Sequence, residues 1–226
     1  MRMSKKVSRA VVVPAIALSA LALGSAAAFA ASSYNVTAGS APAGTAVGYT
    51  ATTIGALPQV TFKDTTTGTV LNCVSASAAG KITVGTNLSG TGIGTVDSTA
   101  WNTCTGPGNI SLTVTGNHPW SLNATGNTGD TGVGVTAGSI TGINAHVSGG
   151  GCDFDVTGSV NGTYTNGPST GTLDLPGTTS TLTIRNATFL CSFVGVGSGH
   201  PASFKATYQV VADNAAYNPI QITSNP

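Results

Sequence analysis

CDFDVTGSVNGTY, residues 152–164, alternates in polarity over its whole length. Cys152, Phe154, Val156, Gly158, Val160, Gly162 and Tyr164 fall on one side of an extended chain. Asp153, Asp155, Thr157, Ser159, Asn161 and Thr163 fall on the other. Successive side chains of a strand point to opposite faces, so the stretch reads as a strand with one buried and one wet face. Asn161-Gly162 is a hairpin signal in its own right, yet the alternation keeps its phase through Tyr164. One long bent strand, turning at NGPSTG (residues 166–171), preserves that phase.

The same period of two recurs along the chain. NISLTVTG places Ile110, Leu112 and Val114 together, and WSLNA places Trp120, Leu122 and Ala124 together, with NHP as the turn joining them. TGINAHV directs Ile143, Ala145 and Val147 inward and His146 outward, and ASFKATYQV aligns Ala202, Phe204, Ala206, Tyr208 and Val210. In TLTIRNATFLCSF the parity changes: Leu182 and Ile184 share one phase, and Phe189, Cys191 and Phe193 the other. A β-bulge near Asn186 would reconcile them. The weakly patterned residues 32–53 read as an edge strand or an extended arm. No convincing helical stripe appears, and small and β-branched residues dominate. The expected fold is all-β, an antiparallel sandwich or a closed barrel.

Residues 1–30 read as a signal peptide. Arg2, Lys5, Lys6 and Arg9 precede an apolar run, and Ala28-Phe29-Ala30 supplies a cleavage site. The expected mature chain starts near Ala31, about 196 residues forming a single domain. It keeps Lys63, Lys81, Arg185 and Lys205 against seven Asp, a net charge of −3 with no Glu. Phosphate backbones require clustered cations, so nucleic-acid binding is excluded on this ground and anionic membrane surfaces are disfavoured. Ser, Thr and Asn on the polar faces, with no aromatic girdle at the strand ends, make membrane insertion unexpected.

Four cysteines in an exported chain read as two disulfides. Three connectivities are open. Sequential strands tend to be neighbours, which favours Cys73–Cys104 and Cys152–Cys191. Each bridge would close a loop worth roughly 3–4 kcal/mol in the chain-entropy model. No CxxC or His pair accompanies the cysteines, so zinc is not expected.

Asp153 and Asp155 lie two apart on one strand face, with carboxylates roughly 7 Å apart. That spacing suits a glycosidase couple or a calcium bridge. Their neighbours on that face are Thr, Ser and Asn, which describe a solvated face instead. GPSTG, residues 167–171, spells a nucleophile elbow, with Asp174 and His200 following Ser169. The elbow works only on a strand-to-helix turn above a parallel sheet, so the match is read as a turn. GNTGDTGVG, residues 126–134, is one copy of a calcium-binding repeat that needs many copies, and reads as a Gly-rich loop. His118, His146 and His200 are separate in sequence and read as surface residues. Trp120 shares its parity with Leu122 and belongs to the core, whereas Trp101 is either core or an exposed binding platform.

VLNC, STAWNTCTGPG, HPWSLNA, GCDFDVTGSVNGTYTN and ASFKATYQV together resemble exported β-rich proteins of actinobacteria, a group with no established activity. The resemblance implies an actinobacterial secreted protein and brings no site residues. The expected function is non-enzymatic: a secreted or cell-surface β-domain for adhesion, envelope structure or protein contact. Its partner would be a protein or a component of the cell envelope, with no cofactor and no metal. One alternative is a barrel holding a small molecule inside. The other is an outer-envelope barrel in mycolate lipid.

Overall fold

The computed structural model describes residues 33–129 and 134–225. Residues 1–32, which include the expected signal peptide, residues 130–133 of the expected Gly-rich loop and residue 226 lie outside the described residues. Among the described residues, fourteen strands form two sheets. The first four are β1 (Ser33–Ala38), β2 (Ala46–Thr53), β3 (Val60–Asp64) and β4 (Val70–Thr83). Next come β5 (Gly85–Leu88), β6 (Gly94–Thr105), β7 (Ser111–Gly116), β8 (Trp120–Ala124) and β9 (Val135–Gly149). The rest are β10 (Cys152–Thr165), β11 (Gly171–Pro176), β12 (Leu182–Arg185), β13 (Pro201–Ala212) and β14 (Ile220–Asn225).

The larger sheet closes on itself as an eight-stave antiparallel barrel. Around the wall run β13, β2 with β3, β4, β6, β7 with β8, β9, β10 and β11 with β12, returning to β13. Every stave is paired on both sides, so the wall has no free edge. Three staves consist of two short strands in line. β7 and β8 run the same way against β9, with Thr113 opposite Ser148 and Ala124 opposite Gly138. NHP therefore interrupts one stave and reverses nothing, correcting the turn expected from sequence. Polarity alternation does not reveal strand direction.

The long strand is present as read. β10 runs through Asn161-Gly162 without a break, and Cys152, Phe154, Val156 and Val160 are buried along it. Where β10 pairs with β9, the register slips by one residue. Gly158 opposes Ile143 while Val160 opposes Ile140. The extra residue sits on β9 beside Gly142, whose φ of 73° is open to glycine at little cost.

Within the segment expected to be an edge strand or an arm, residues 33–53 form neither. β1 is the central strand of the small sheet β14-β1-β5, and β2 is a barrel stave. Val47, Tyr49, Ala51 and Thr53 of β2 are buried in strict alternation. The small sheet covers one end of the barrel. Tyr164 of β10 donates from its hydroxyl to the Ile220 carbonyl at 2.9 Å, and Asn166 exchanges two 2.8 Å bonds with the Ile222 backbone. Barrel and small sheet share one apolar core.

The expected bulge at Asn186 is a strand end. Asn186 takes a left-handed φ of 51°, β12 stops at Arg185, and a one-turn helix, α1 (Phe189–Phe193), follows. The reason lies in the two periods. On a strand, Phe189, Cys191 and Phe193 would share a face; on a helix, positions four apart share a face and the middle one points away. Cys191 is fully buried, while Phe189 and Phe193 are 76% and 73% exposed and meet edge to face at 5.2 Å.

Both disulfides form, in the favoured pairing. Cys73–Cys104 joins directly opposed residues of β4 and β6, and Cys152–Cys191 ties the start of β10 to α1. Two formed bridges fit an oxidising compartment. No helix among the described residues is long and apolar enough to cross a membrane.

Candidate ligand-binding cavity

An eight-stranded barrel is just wide enough to be filled by its own side chains or to hold one small ligand. Here the inward positions include Ala51, Ala78, Ala145, Gly138 and Gly162, too small to fill the bore. A cavity of about 190 Å³ remains. Its wall is mostly aliphatic and aromatic, with Thr99, Asn123, Thr136, Ser139 and Thr163 also on it. Ile220 and Ile222 of the small sheet contribute, and among the described residues no Asp, Lys, Arg or His lines it.

Trp101 belongs to this cavity and is not a surface platform. It is half-buried, lines the interior and packs 6.4 Å from Trp120 in a tilted arrangement. Its inward direction could not be read from Cys104, because the phase changes between them. Thr103 has a φ of 49°, and on the facing strand burial passes from Leu71 and Cys73 to Ala76. Beside the tryptophans, His118 stacks on Trp120 with ring centres 4.3 Å apart and shares a 2.9 Å hydrogen bond with Thr99 through Nε2. Burial holds the His118 pKa below the ordinary histidine value against the Val96 carbonyl and Asp97, and Nδ1 is buried with no partner in hydrogen-bonding geometry.

Three tyrosines point inward. Tyr49 donates to the Thr95 carbonyl at 2.8 Å and Tyr164 to the Ile220 carbonyl, so both hydroxyls are spent on the wall. Tyr208 is 7% exposed, and among the described residues its hydroxyl has no hydrogen-bond partner. Burial raises all three phenol pKa values. Sequence reading assigned Tyr208 to the core and had no means of separating it from the other two.

Asp153 and Asp155 stand on the outer face of β10, away from the cavity. Asp155 accepts from Asn186 at 2.7 Å and from His146 at 2.9 Å across the neighbouring strand. The Asn186 bond first, then His146, holds its pKa below the ordinary value of 3.8. His146 and Asp155 are 52% and 29% exposed, so their attraction is that of a surface pair.

The apparent elbow residues do not converge. Asp174 accepts from Thr207 at 2.7 Å, whereas His200 bonds Asp64 at the far end of β13. Thr207 and His200 are seven residues apart along an extended chain, roughly 20 Å. Asp64 was missed from sequence. The signal was KDTTTG, in which an aspartate caps its own turn: Asp64 accepts the N–H groups of Thr66 and Thr67 at 2.9 and 3.2 Å. Among the described residues no group of three or more His, Cys, Asp or Glu is placed to hold a metal ion.

No protein-family model, no curated protein and no solved structure matches this chain.

Proposed function

We infer that this protein is a non-enzymatic, exported β-barrel that binds a small, mostly apolar molecule in its interior. The cavity carries this reading. Packed cores leave few voids larger than a water molecule, and an aliphatic void of about 150 Å³ is enough to hold benzene. Sites for drug-sized ligands run from about 300 Å³ upward. The 190 Å³ here suits a molecule of one or two rings, or a short branched chain. Export is supported by the leader-like residues 1–30 and by two disulfides, and an actinobacterial source by the resemblance alone.

The wall argues against an envelope barrel inserted in lipid. Such a barrel turns its apolar face outward, whereas β10 turns Asp153, Asp155 and Asn161 outward and its apolar residues in. Contact with a protein or the cell envelope is the second reading, supported by exposed Phe189, Leu190 and Phe193 at α1.

The test is titration of the purified mature protein with naphthalene, following the emission of Trp101 and Trp120. Saturable binding is expected, and it should disappear in Ala145→Phe, which places a ring in the space that Ala145 lines. A fully folded wild-type protein that binds neither naphthalene nor xenon would exclude the reading.

A further inference from the structure

We propose that the Tyr208 hydroxyl is the polar anchor of the cavity, so that the ligand is an uncharged, mostly apolar molecule carrying one hydroxyl or carbonyl group. This rests on the preceding reading that the cavity is a binding site, and it specifies the class of molecule bound.

The argument is one of hydrogen-bond completeness. Buried polar groups are almost always paired, because leaving one unpaired in an apolar site costs free energy. The buried polar side chains Tyr34, Tyr49, Thr53, Asp64, Trp120 and Thr136 each bond to the protein. Tyr208, which lines the cavity, makes no such bond among the described residues. The unpartnered atom wholly enclosed by protein is His118 Nδ1, so the Tyr208 oxygen keeps some accessible surface. It sits midway along β13, opposite Thr53 on β2 and Leu173 on β11, with its ring on the inward parity shared with Ala206 and Val210. A core tyrosine with no partner would serve packing equally well as phenylalanine. Retaining the hydroxyl at the cavity wall provides one donor and one acceptor to whatever fills the space.

The lining limits what that can be. With no charged side chain among the described residues of the wall, a carboxylate or ammonium would be stripped of water with no countercharge beside it. Desolvation also keeps the phenol protonated, so it meets the ligand as a neutral O–H. A few precisely placed polar groups in an apolar lining set orientation and discrimination in small-molecule sites.

The experiment compares p-cresol with p-xylene, near-isosteric rings that differ by one hydroxyl, on wild type, Tyr208→Phe and Tyr49→Phe, by NMR titration. Wild type is expected to bind both. Tyr208→Phe should keep p-xylene within about twofold and weaken p-cresol about fivefold, the effect of one lost neutral hydrogen bond. Tyr49→Phe, whose hydroxyl is committed to Thr95, should leave the ratio of the two affinities unchanged. An unchanged ratio in Tyr208→Phe would overturn the proposal and leave the cavity reading standing, with water as the phenol's partner. Failure of wild type to bind either ring would instead remove the cavity reading, and this proposal with it.

Discussion

Asp64 is completely buried and accepts a 2.7 Å hydrogen bond from Nδ1 of His200, a residue 136 positions later in the chain. Its carboxylate also takes the N–H groups of Thr66, Thr67 and Gly197. One side chain thereby joins the turn between β3 and β4 to the segment leading from α1 into β13.

That arrangement has a pH signature. Burial alone would raise the Asp64 pKa, but His200 and the three N–H donors outweigh it and hold it below 3.8. Above that ordinary value the carboxyl is ionised in both folded and unfolded chains, and its full contribution to stability is present. As pH falls below about 4 the unfolded chain takes up the proton first, and the contribution drains away until the folded carboxyl also protonates. Asp64→Asn should lower stability at pH 7 by about 3 kcal/mol. Urea melts should show that deficit shrinking toward pH 3; the same deficit at both values would contradict the account.

The inward tyrosines should separate on removal of their hydroxyls. Tyr49→Phe and Tyr164→Phe each lose a bond to a backbone carbonyl, at a cost of about 1 kcal/mol. Tyr208→Phe loses no bond and should melt at or above wild type in the absence of ligand. Calorimetry of the three variants measures this directly, and marked destabilisation by Tyr208→Phe would reveal a partner for its hydroxyl.

The opposite faces of β10 should respond unequally. Asp153 and Asp155 face outward, so replacing both with Asn should change stability by about 1 kcal/mol or less, with or without calcium. Phe154 is 1% exposed and packs 6.1 Å from Phe62, so Phe154→Ala should cost about 3–5 kcal/mol by opening a void. A calcium-dependent gain present in wild type and absent from the Asn variant would identify the aspartates as a site.

The helix α1 should be held by its bridge more than by its phenylalanines. Cys152→Ser with Cys191→Ser is expected to cost about 2–5 kcal/mol. Phe189→Ser with Phe193→Ser removes exposed rings that touch chiefly each other, and should cost about 1 kcal/mol or less. Denaturant unfolding of the two double variants ranks them, and the reverse order would mean the rings are covered in solution.

Much of the wall was legible because strands announce themselves locally. Phe154 and Val156 determine which face of β10 is buried, and a slip of one residue would turn Asp153 and Asp155 inward, so the register is strongly specified. The same logic located β13 from Ala202 to Val210. It failed at Phe189–Phe193, where alternating large residues suit a strand and a single helical turn equally; the turn that forms buries Cys191, bridged to Cys152, and leaves both rings outside. It failed again at Trp101, because the backbone changes phase at Thr103 and no polarity pattern records such a change.

The sequence by itself determined an all-β chain, the buried face of each long strand, and cysteines spaced for neighbouring bridges. All of these follow from the two-residue period and from the preference for short connections. Only the tertiary structure decided that the sheet closes, that β7 and β8 are one interrupted stave, and that alanines and glycines from separate staves leave a void beside Tyr208. Closure and cavity depend on which strands meet across the bore and on the summed volume of side chains far apart in the chain. The same holds for Tyr49, Tyr164 and Tyr208: identical residues on similar strands, distinguished only by whether a carbonyl from another part of the chain lies within reach.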